Sequence, residues 1–225
     1  MTAPDAARRL PDIPTLRALC RALAAAEAMV NPSGAYAYHV YAANWGESEE
    51  ALSVDTGSGD DCTVVFAPAG VYIRAFSHES PMSPYGNDEG QAWPGVLDSV
   101  PEVFRAYVDE PAFTDDGLPR VTACIWRETG DTHWHTGDIA FPDEEEDDVD
   151  GAEWLLDLLV EGTPEAFREW AEDYYERPVD LESVAGGLTP PCGGSRDTRP
   201  PEVLSLPQEE TGKGCHGRRH ALLEP

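Results

Sequence analysis

Apolar residues recur at three- and four-residue spacing in "DIPTLRALCRALAAAEAMV" at 12–30, where Leu16, Leu19, Cys20 and Leu23 share one face of a predicted helix. Asp12 stands where the helix needs an N-cap, Pro14 falls in its first turn, and "NPSG" at 31–34 ends it. The period then drops to two. "AYAYHVYAANW" at 35–45 predicts a strand with Tyr36, Tyr38 and Val40 on one face and Ala37, His39 and Tyr41 on the other, and "EALSVD" at 50–55 predicts a shorter one. "CTVVFAP" at 62–68 and "GVYIRAFSH" at 70–78 flank a Pro-Ala-Gly turn and predict a hairpin. In its second arm Val71, Ile73 and Ala75 alternate with Tyr72, Arg74 and Phe76.

A Pro- and Ser-rich loop follows, to about residue 94. Ser99 and Glu102 are spaced as a capping box for a helix over about 100–109, with Val100, Val103, Phe104 and Tyr107 on its apolar stripe. "RVTACIWRETGDTHWHTGDIAFP" at 120–142 predicts a second hairpin with Gly130-Asp131 near its tip. Two more helices close the pattern. One covers 151–161 with Trp154, Leu155, Leu158 and Leu159 inward. The other starts at Thr163 and Pro164 and carries Phe167, Trp170, Ala171 and Tyr174. The expected fold class is therefore α+β: an antiparallel sheet of five or six strands with helices packed on one side. The expected boundaries are a flexible N-terminus at 1–11, a single domain at 12–186, and a disordered Pro/Gly-rich tail at 187–225.

Composition supplies the material of a core and excludes some classes of partner. Six Trp and eight Tyr in 225 residues supply core material, and no apolar run approaches the ~18 residues of a membrane span. The opening "MTAPDAARRLPDIP" lacks the basic and apolar regions of a signal peptide, so a cytoplasmic location is expected. Cysteines stand at 20, 62, 124, 192 and 215 without a C-x-x-C pair; the first three lie in apolar segments and read as buried free thiols. The formal net charge is −28, and residues 31–190 alone hold six Arg, no Lys and 35 acids. That field repels nucleic acid and anionic membranes and attracts basic surfaces. No basic patch with interleaved aromatics is present.

Candidate chemistry is sparse. His133 and His135 lie two apart on a predicted strand and project from one face; His78 or Glu79 would be the third zinc ligand. No H-E-x-x-H spacing or second Cys/His pair completes the set, so no metal is expected. Glu146, Asp148, Asp150, Gly151 and Asp157 match part of a calcium-loop spacing, but Asp150 serves equally as an N-cap with Glu153 three residues on. Ser77 and Ser80 flank His78 without a G-x-S-x-G elbow, and no glycine-rich phosphate loop or dinucleotide fingerprint occurs. No cofactor is expected.

The loop "FSHESPMSPYGNDEG" at 76–90 reads instead as a structured binding segment. Its Glu79, Met82 and Tyr85, with Trp93 and the acidic run Asp143, Glu144, Glu145, Glu146, Asp147 and Asp148, are the expected partner-binding residues. The expected function is an acidic binding protein that occludes a basic protein partner. In size and charge, though in no motif, the chain resembles the immunity proteins of bacterial toxin systems, and that resemblance implies inhibition by occlusion. A second reading is a metal-dependent hydrolase using His78, Glu79, His133 and His135. A third is a structural or regulatory domain with no basic partner. The sequence sets no oligomeric state.

Overall fold

Two helices precede the sheet in this computed structural model, which describes residues 1–86, 90–142 and 148–188. The first, α1 (Ala3–Arg9), corrects the expectation of a flexible N-terminus at 1–11. Its Ala3 and Ala6 are buried, one turn apart, and Leu10 follows them into the core. The Thr2 N–H donates to Asp5 (3.0 Å), the Ala3 N–H donates to Asp150 (2.8 Å), and the Trp134 indole donates to the Pro11 carbonyl (2.8 Å). Leu10→Ala should therefore lower the unfolding free energy by about 2 kcal/mol in urea titration. A change within a few tenths would return this segment to the status of a loose end.

Helix α2 (Ile13–Val30) forms as the spacing requires: Asp12 accepts from the Thr15 N–H at 2.9 Å, and Leu16, Cys20 and Leu23 are buried. Four strands then run back and forth: β1 (His39–Gly46), β2 (Glu49–Asp55), β3 (Asp61–Ala67) and β4 (Gly70–Phe76). Strand β1 starts later than its sequence suggests, since Tyr36 has a positive φ and is 91% exposed. The chain next makes a 3₁₀ turn (Glu102–Phe104), a single turn α3 (Arg105–Val108), and the two-residue strands β5 (Thr114–Asp115) and β6 (Leu118–Pro119). It rejoins the sheet as β7 (Ala123–Glu128). Helices α4 (Ala152–Glu161), α5 (Pro164–Tyr174) and α6 (Leu181–Leu188) complete it. The large sheet has the order β1-β2-β3-β4-β7 and is antiparallel throughout, so the fold is α+β.

Register fixes which side chains share a face. Leu52, Val54, Cys62, Val64, Phe66, Ile73 and Ile125 face one way and pack with Leu16, Leu23, Leu156, Phe167 and Val184 from the flanking helices. Val65, Tyr72, Cys124 and Trp126 face the other way, beneath Met82, Val96, Val100, Phe104, Tyr107 and Phe113. The long helices thus cover one face, and the connection from β4 to β7 covers part of the other. Cys20, Cys62 and Cys124 are buried and unpaired.

Several local expectations change. The Ser99–Glu102 capping box does not form: the turn begins after Pro101 without a side-chain cap, and Val103 points outward while Phe104 and Tyr107 are buried. The second hairpin shrinks to its turn and one bridge, Trp126 to His135. Trp154 is exposed, because the buried stripe of α4 is Leu155, Leu156 and Leu159. Helix α6 has no counterpart among the elements the sequence predicts, and the expected tail lies outside the described residues from 189 onward. Among the described residues, no helix is long and apolar enough to cross a membrane.

Candidate functional site

The loop after β4 is built from serines three residues apart. Successive turns join Ser77 O to Ser80 N, Ser80 O to Ser83 N and Ser83 O to Gly86 N. Ser80 Oγ donates to the Val149 carbonyl (2.7 Å) and accepts from the Met82 N–H (3.0 Å), which pins the loop to the chain before α4. Met82 is completely buried under the second face of the sheet. It cannot meet a partner, which corrects its assignment as a contact residue: an apolar side chain in a short turn found a core instead of solvent. Tyr85 stays half exposed, its hydroxyl donating to Asp115 (2.7 Å) and its ring edge-on to Phe76. Trp93 donates to the Ala140 carbonyl (2.8 Å), and Glu79 is fully outside. Asp143, Glu144, Glu145, Glu146 and Asp147 lie outside the described residues. Asp148 is spent on the start of α4, accepting from the N–H groups of Glu153 (3.0 Å) and Trp154 (3.3 Å).

His78 and His135 are kept apart. His135 exchanges both backbone hydrogen bonds with Trp126, which pairs with Tyr72. His78 lies beyond Phe76, so at least four strand positions, ~13 Å, separate the two along β4. Each also has its own partner. His78 Nδ1 is 2.7 Å from Asp60, a bond that raises the imidazole above its ordinary range. His133 meets Thr132 at 2.6 Å and His135 meets Asp131 at 3.2 Å. Among the described residues no group of three His, Cys, Asp or Glu is placed to hold a metal. The calcium-loop spacing dissolves likewise: Asp150 is buried, accepting from the Ala3 N–H (2.8 Å) and the Ala152 N–H (3.0 Å), and burial pushes its carboxyl up to about 6.

Acidic side chains converge elsewhere. On α4, Glu153, Asp157 and Glu161 stand four residues apart on the exposed side; on α5, Glu165, Glu169 and Asp173 do the same. The two helices pack together. Asp157 registers the crowding: partial burial, then Glu161, Glu153 and Glu169, push its carboxyl above the usual range against the opposing pull of Arg9. The counter-charges are few. Arg9 pairs with Glu161 at 2.5 Å, and the amino group of Met1 pairs with Glu153. Like charges at four-residue spacing destabilise a helix, so this ridge is held by the apolar stripes beneath it.

A second feature lies on the sheet face opposite the long helices. Ser53 pairs with Thr63, and Thr63 with Arg74, across β2, β3 and β4; Asp55 pairs with Asp61 one step along. Polar residues thus occupy half of a face whose other half, Val65, Tyr72 and Trp126, is apolar and covered. Asp61 joins both Arg74 and Arg120, while Arg74 also donates to the Arg120 carbonyl (2.6 Å) and Arg120 to the Gly59 carbonyl (3.0 Å). The guanidinium of Arg74 stacks on Phe113 and that of Arg120 on Phe76. Trp45 lies parallel to Phe113, with ring centroids 5.9 Å apart. Together these groups surround an open cleft of about 530 Å³. Sequence alternation places Tyr72, Arg74 and Phe76 on one face of β4, while the register that sets Ser53 and Thr63 beside Arg74 has no local signal.

The third polar cluster is interior. Glu27, only 2% exposed, accepts from the Tyr38 N–H (3.0 Å), from His39 Nδ1 (3.1 Å) and from the Tyr175 hydroxyl. Tyr38, Phe167 and Trp170 surround the imidazole. It is sealed from solvent and joins α2, β1 and the end of α5.

No family model matches the chain, and no match is found among the curated proteins or the solved structures.

Proposed function

We propose that the chain is an acidic binding protein that occludes a basic protein partner, in the manner of an immunity-type inhibitor. The observation that carries this reading is the ridge of Glu153, Asp157, Glu161, Glu165 and Glu169, five carboxylates on two packed helices, against which stand Arg9, the Met1 amino group and, on α5, Arg168. Such a surface is under self-repulsion in the free protein, and a basic surface relieves it. Glu79 and Tyr85 are exposed and Trp93 is partly buried against the second core cluster; these serve as further contacts, with the aromatic pair supplying lasting affinity and the acids speeding encounter. On this reading nucleic acid is not a partner, and the buried free thiols suit a reducing cytoplasm.

The test uses the intact protein as bait in extract of its own cells, followed by association kinetics with the captured partner. Changing Glu153, Asp157, Glu165 and Glu169 to Gln or Asn should slow association several-fold and leave the free domain folded and slightly more stable. Added salt should slow the wild type in parallel, since exposed charges are screened beyond ~10 Å at 0.1 M. Truncating Tyr85 or Trp93 should act mainly on dissociation. An association rate indifferent to both salt and the substitutions would sink electrostatic capture.

A further inference from the structure

We propose that the outer edge of β1 is a docking strand, on which a basic partner lays an extended segment with an apolar centre and lysine or arginine at its ends. This rests on the reading of a basic partner, and adds the place of contact and the form the partner takes there.

The edge follows from the register. The Asp55 N–H donates to the Tyr38 carbonyl (3.0 Å), Val40 pairs with Ser53, and Ala42 pairs with Ala51. In an antiparallel pair alternate residues turn their N–H and C=O to the neighbour. Tyr38, Val40 and Ala42 therefore face β2, while Tyr41 and Ala43 turn their backbone groups away from the sheet. Strand β1 ends the order β1-β2-β3-β4-β7, and among the described residues no other segment pairs with it. The opposite end of the sheet is closed. There Trp126 of β7 exchanges both backbone bonds with His135, and Arg127 donates to the Asp131 carbonyl (3.0 Å).

Edge strands ordinarily carry charge, proline or an irregularity that deters pairing. Strand β1 reads "HVYAANWG", eight residues without Asp, Glu, Lys, Arg or Pro, whereas each other strand of the large sheet holds at least one charged side chain. Its register with β2 is regular from His39 to Ala42 and shifts only before Gly46. Ala43 and Asn44 are exposed, Val40 is 51% exposed, and Tyr36, just ahead of the strand, points into solvent. Open backbone groups and exposed apolar side chains thus coincide on one edge.

Charge chooses the occupant. The uncharged strand runs between two exposed carboxylates: Asp55 lies across from Tyr38 at one end, and Glu47 follows Gly46 at the other. Extended chain covers that interval, roughly 30 Å, in about nine residues. A segment of this length with cationic ends meets the open edge and both acids. A second copy of the chain would instead bring a net charge of −28 against its own like. Main-chain bonds to the edge supply affinity, and the end charges supply selection.

The probe is the capped peptide KKTVTVTKK, titrated into the full chain and followed by amide shifts and hydrogen exchange. Saturable shifts should centre on residues 40–44, and the Tyr41 and Ala43 N–H groups should gain protection. N-methylation of alternate central residues keeps the peptide's charge and removes its bonding edge; it should weaken binding about tenfold or more. Ala43→Pro removes an outward donor, a change that an edge strand tolerates. Val40→Lys sets a cation beside the bound segment and leaves the backbone untouched. Each variant should weaken the probe about tenfold and keep the fold by circular dichroism. The peptide EETVTVTEE and sedimentation of the free chain complete the test. Shifts confined to α4 and α5, or an N-methylated peptide that binds as well as its parent, would overturn the docking strand and leave electrostatic capture standing. Equal binding of the glutamate peptide at β1 would overturn the basic occupant and count against electrostatic capture as well. A dimer of the free chain that Ala43→Pro dissolves would give the edge to a second copy, and the absence of saturable binding would end the proposal.

Discussion

Glu27→Ala should lower the unfolding free energy by about 3–5 kcal/mol in urea titration, with the dependence on urea unchanged. The carboxylate is the shared acceptor of three donors in a sealed site: the Tyr38 N–H, His39 and the Tyr175 hydroxyl. Alanine leaves all three without an acceptor and opens a void between α2 and β1. Burial pushes the Glu27 carboxyl up, but the bonds from His39, Tyr175 and Tyr38 outweigh it and hold the group below its ordinary range. It is therefore ionised at neutral pH. Burial pushes His39 down, and Glu27 offsets only part of this, so the imidazole is neutral and donates through Nδ1. This sets a pH signature. Below its ordinary value of ~6.5, His39 protonates more readily in the unfolded chain, so its contribution is complete above that pH and is lost as pH falls toward the depressed folded value. His39→Asn retains a donor for Glu27 and does not titrate. The stability advantage of wild type over this variant should be constant above ~6.5 and narrow as pH falls below it. Asp150, whose carboxyl is pushed the other way, titrates in both proteins and cancels in the difference. A loss below 1 kcal/mol for Glu27→Ala, or an advantage that grows toward acid, would refute this account.

Gly70→Ala should cost about 3 kcal/mol, more than a small side chain at a turn usually does. Gly70 closes the turn from β3 to β4 with φ of +151° and pairs across to Glu128 on β7. A Cβ there would drive into the Arg127 carbonyl and the Glu128 Cα, both backbone atoms of the β4–β7 pairing. Left-handed strain contributes ~1 kcal/mol and overpacking ~2. Gly57→Ala is the control. Gly57 also has a positive φ, of +75°, but no atom lies within 4 Å of its would-be Cβ, so only the strain remains. Equal losses in the two variants, measured by urea titration, would show that the clash contributes nothing.

Much of the fold is legible because local signals agree with tertiary demand. Helix α2 has both a cap and an apolar period, α5 has Thr163 accepting from the Ala166 N–H ahead of Pro164, and the β3–β4 hairpin alternates cleanly around a tight turn. Helix α1 was invisible for a physical reason. "APDAARR" buries only Ala3 and Ala6, and a stripe of alanines carries no contrast against its surroundings. Helix α6, "LESVAGGL", hides its apolar spacing behind two glycines that disfavour helix. Met82 and Trp154 show the reverse: large apolar side chains at positions whose exposure depends on what lies above them, which no local pattern encodes. The candidate sites were harder still. The acidic excess was plain, but its placement on α4 and α5 followed from helix packing, and the polar cleft arises from three strands meeting in register.

The buried thiols of Cys20, Cys62 and Cys124 sit in two interfaces: Cys20 on α2 and Cys62 on the helix-facing side of β3 share one, and Cys124 on the opposite side of β7 lies in the other. Burial raises all three, Cys62 and Cys124 to about 12, so hardly any thiolate exists at these three positions in the closed fold. An alkylating reagent then meets each sulfur only when its own interface opens. Labelling at Cys20 and Cys62 would thus time the parting of helix from sheet, and labelling at Cys124 the parting of sheet from its opposite cover, as separate events.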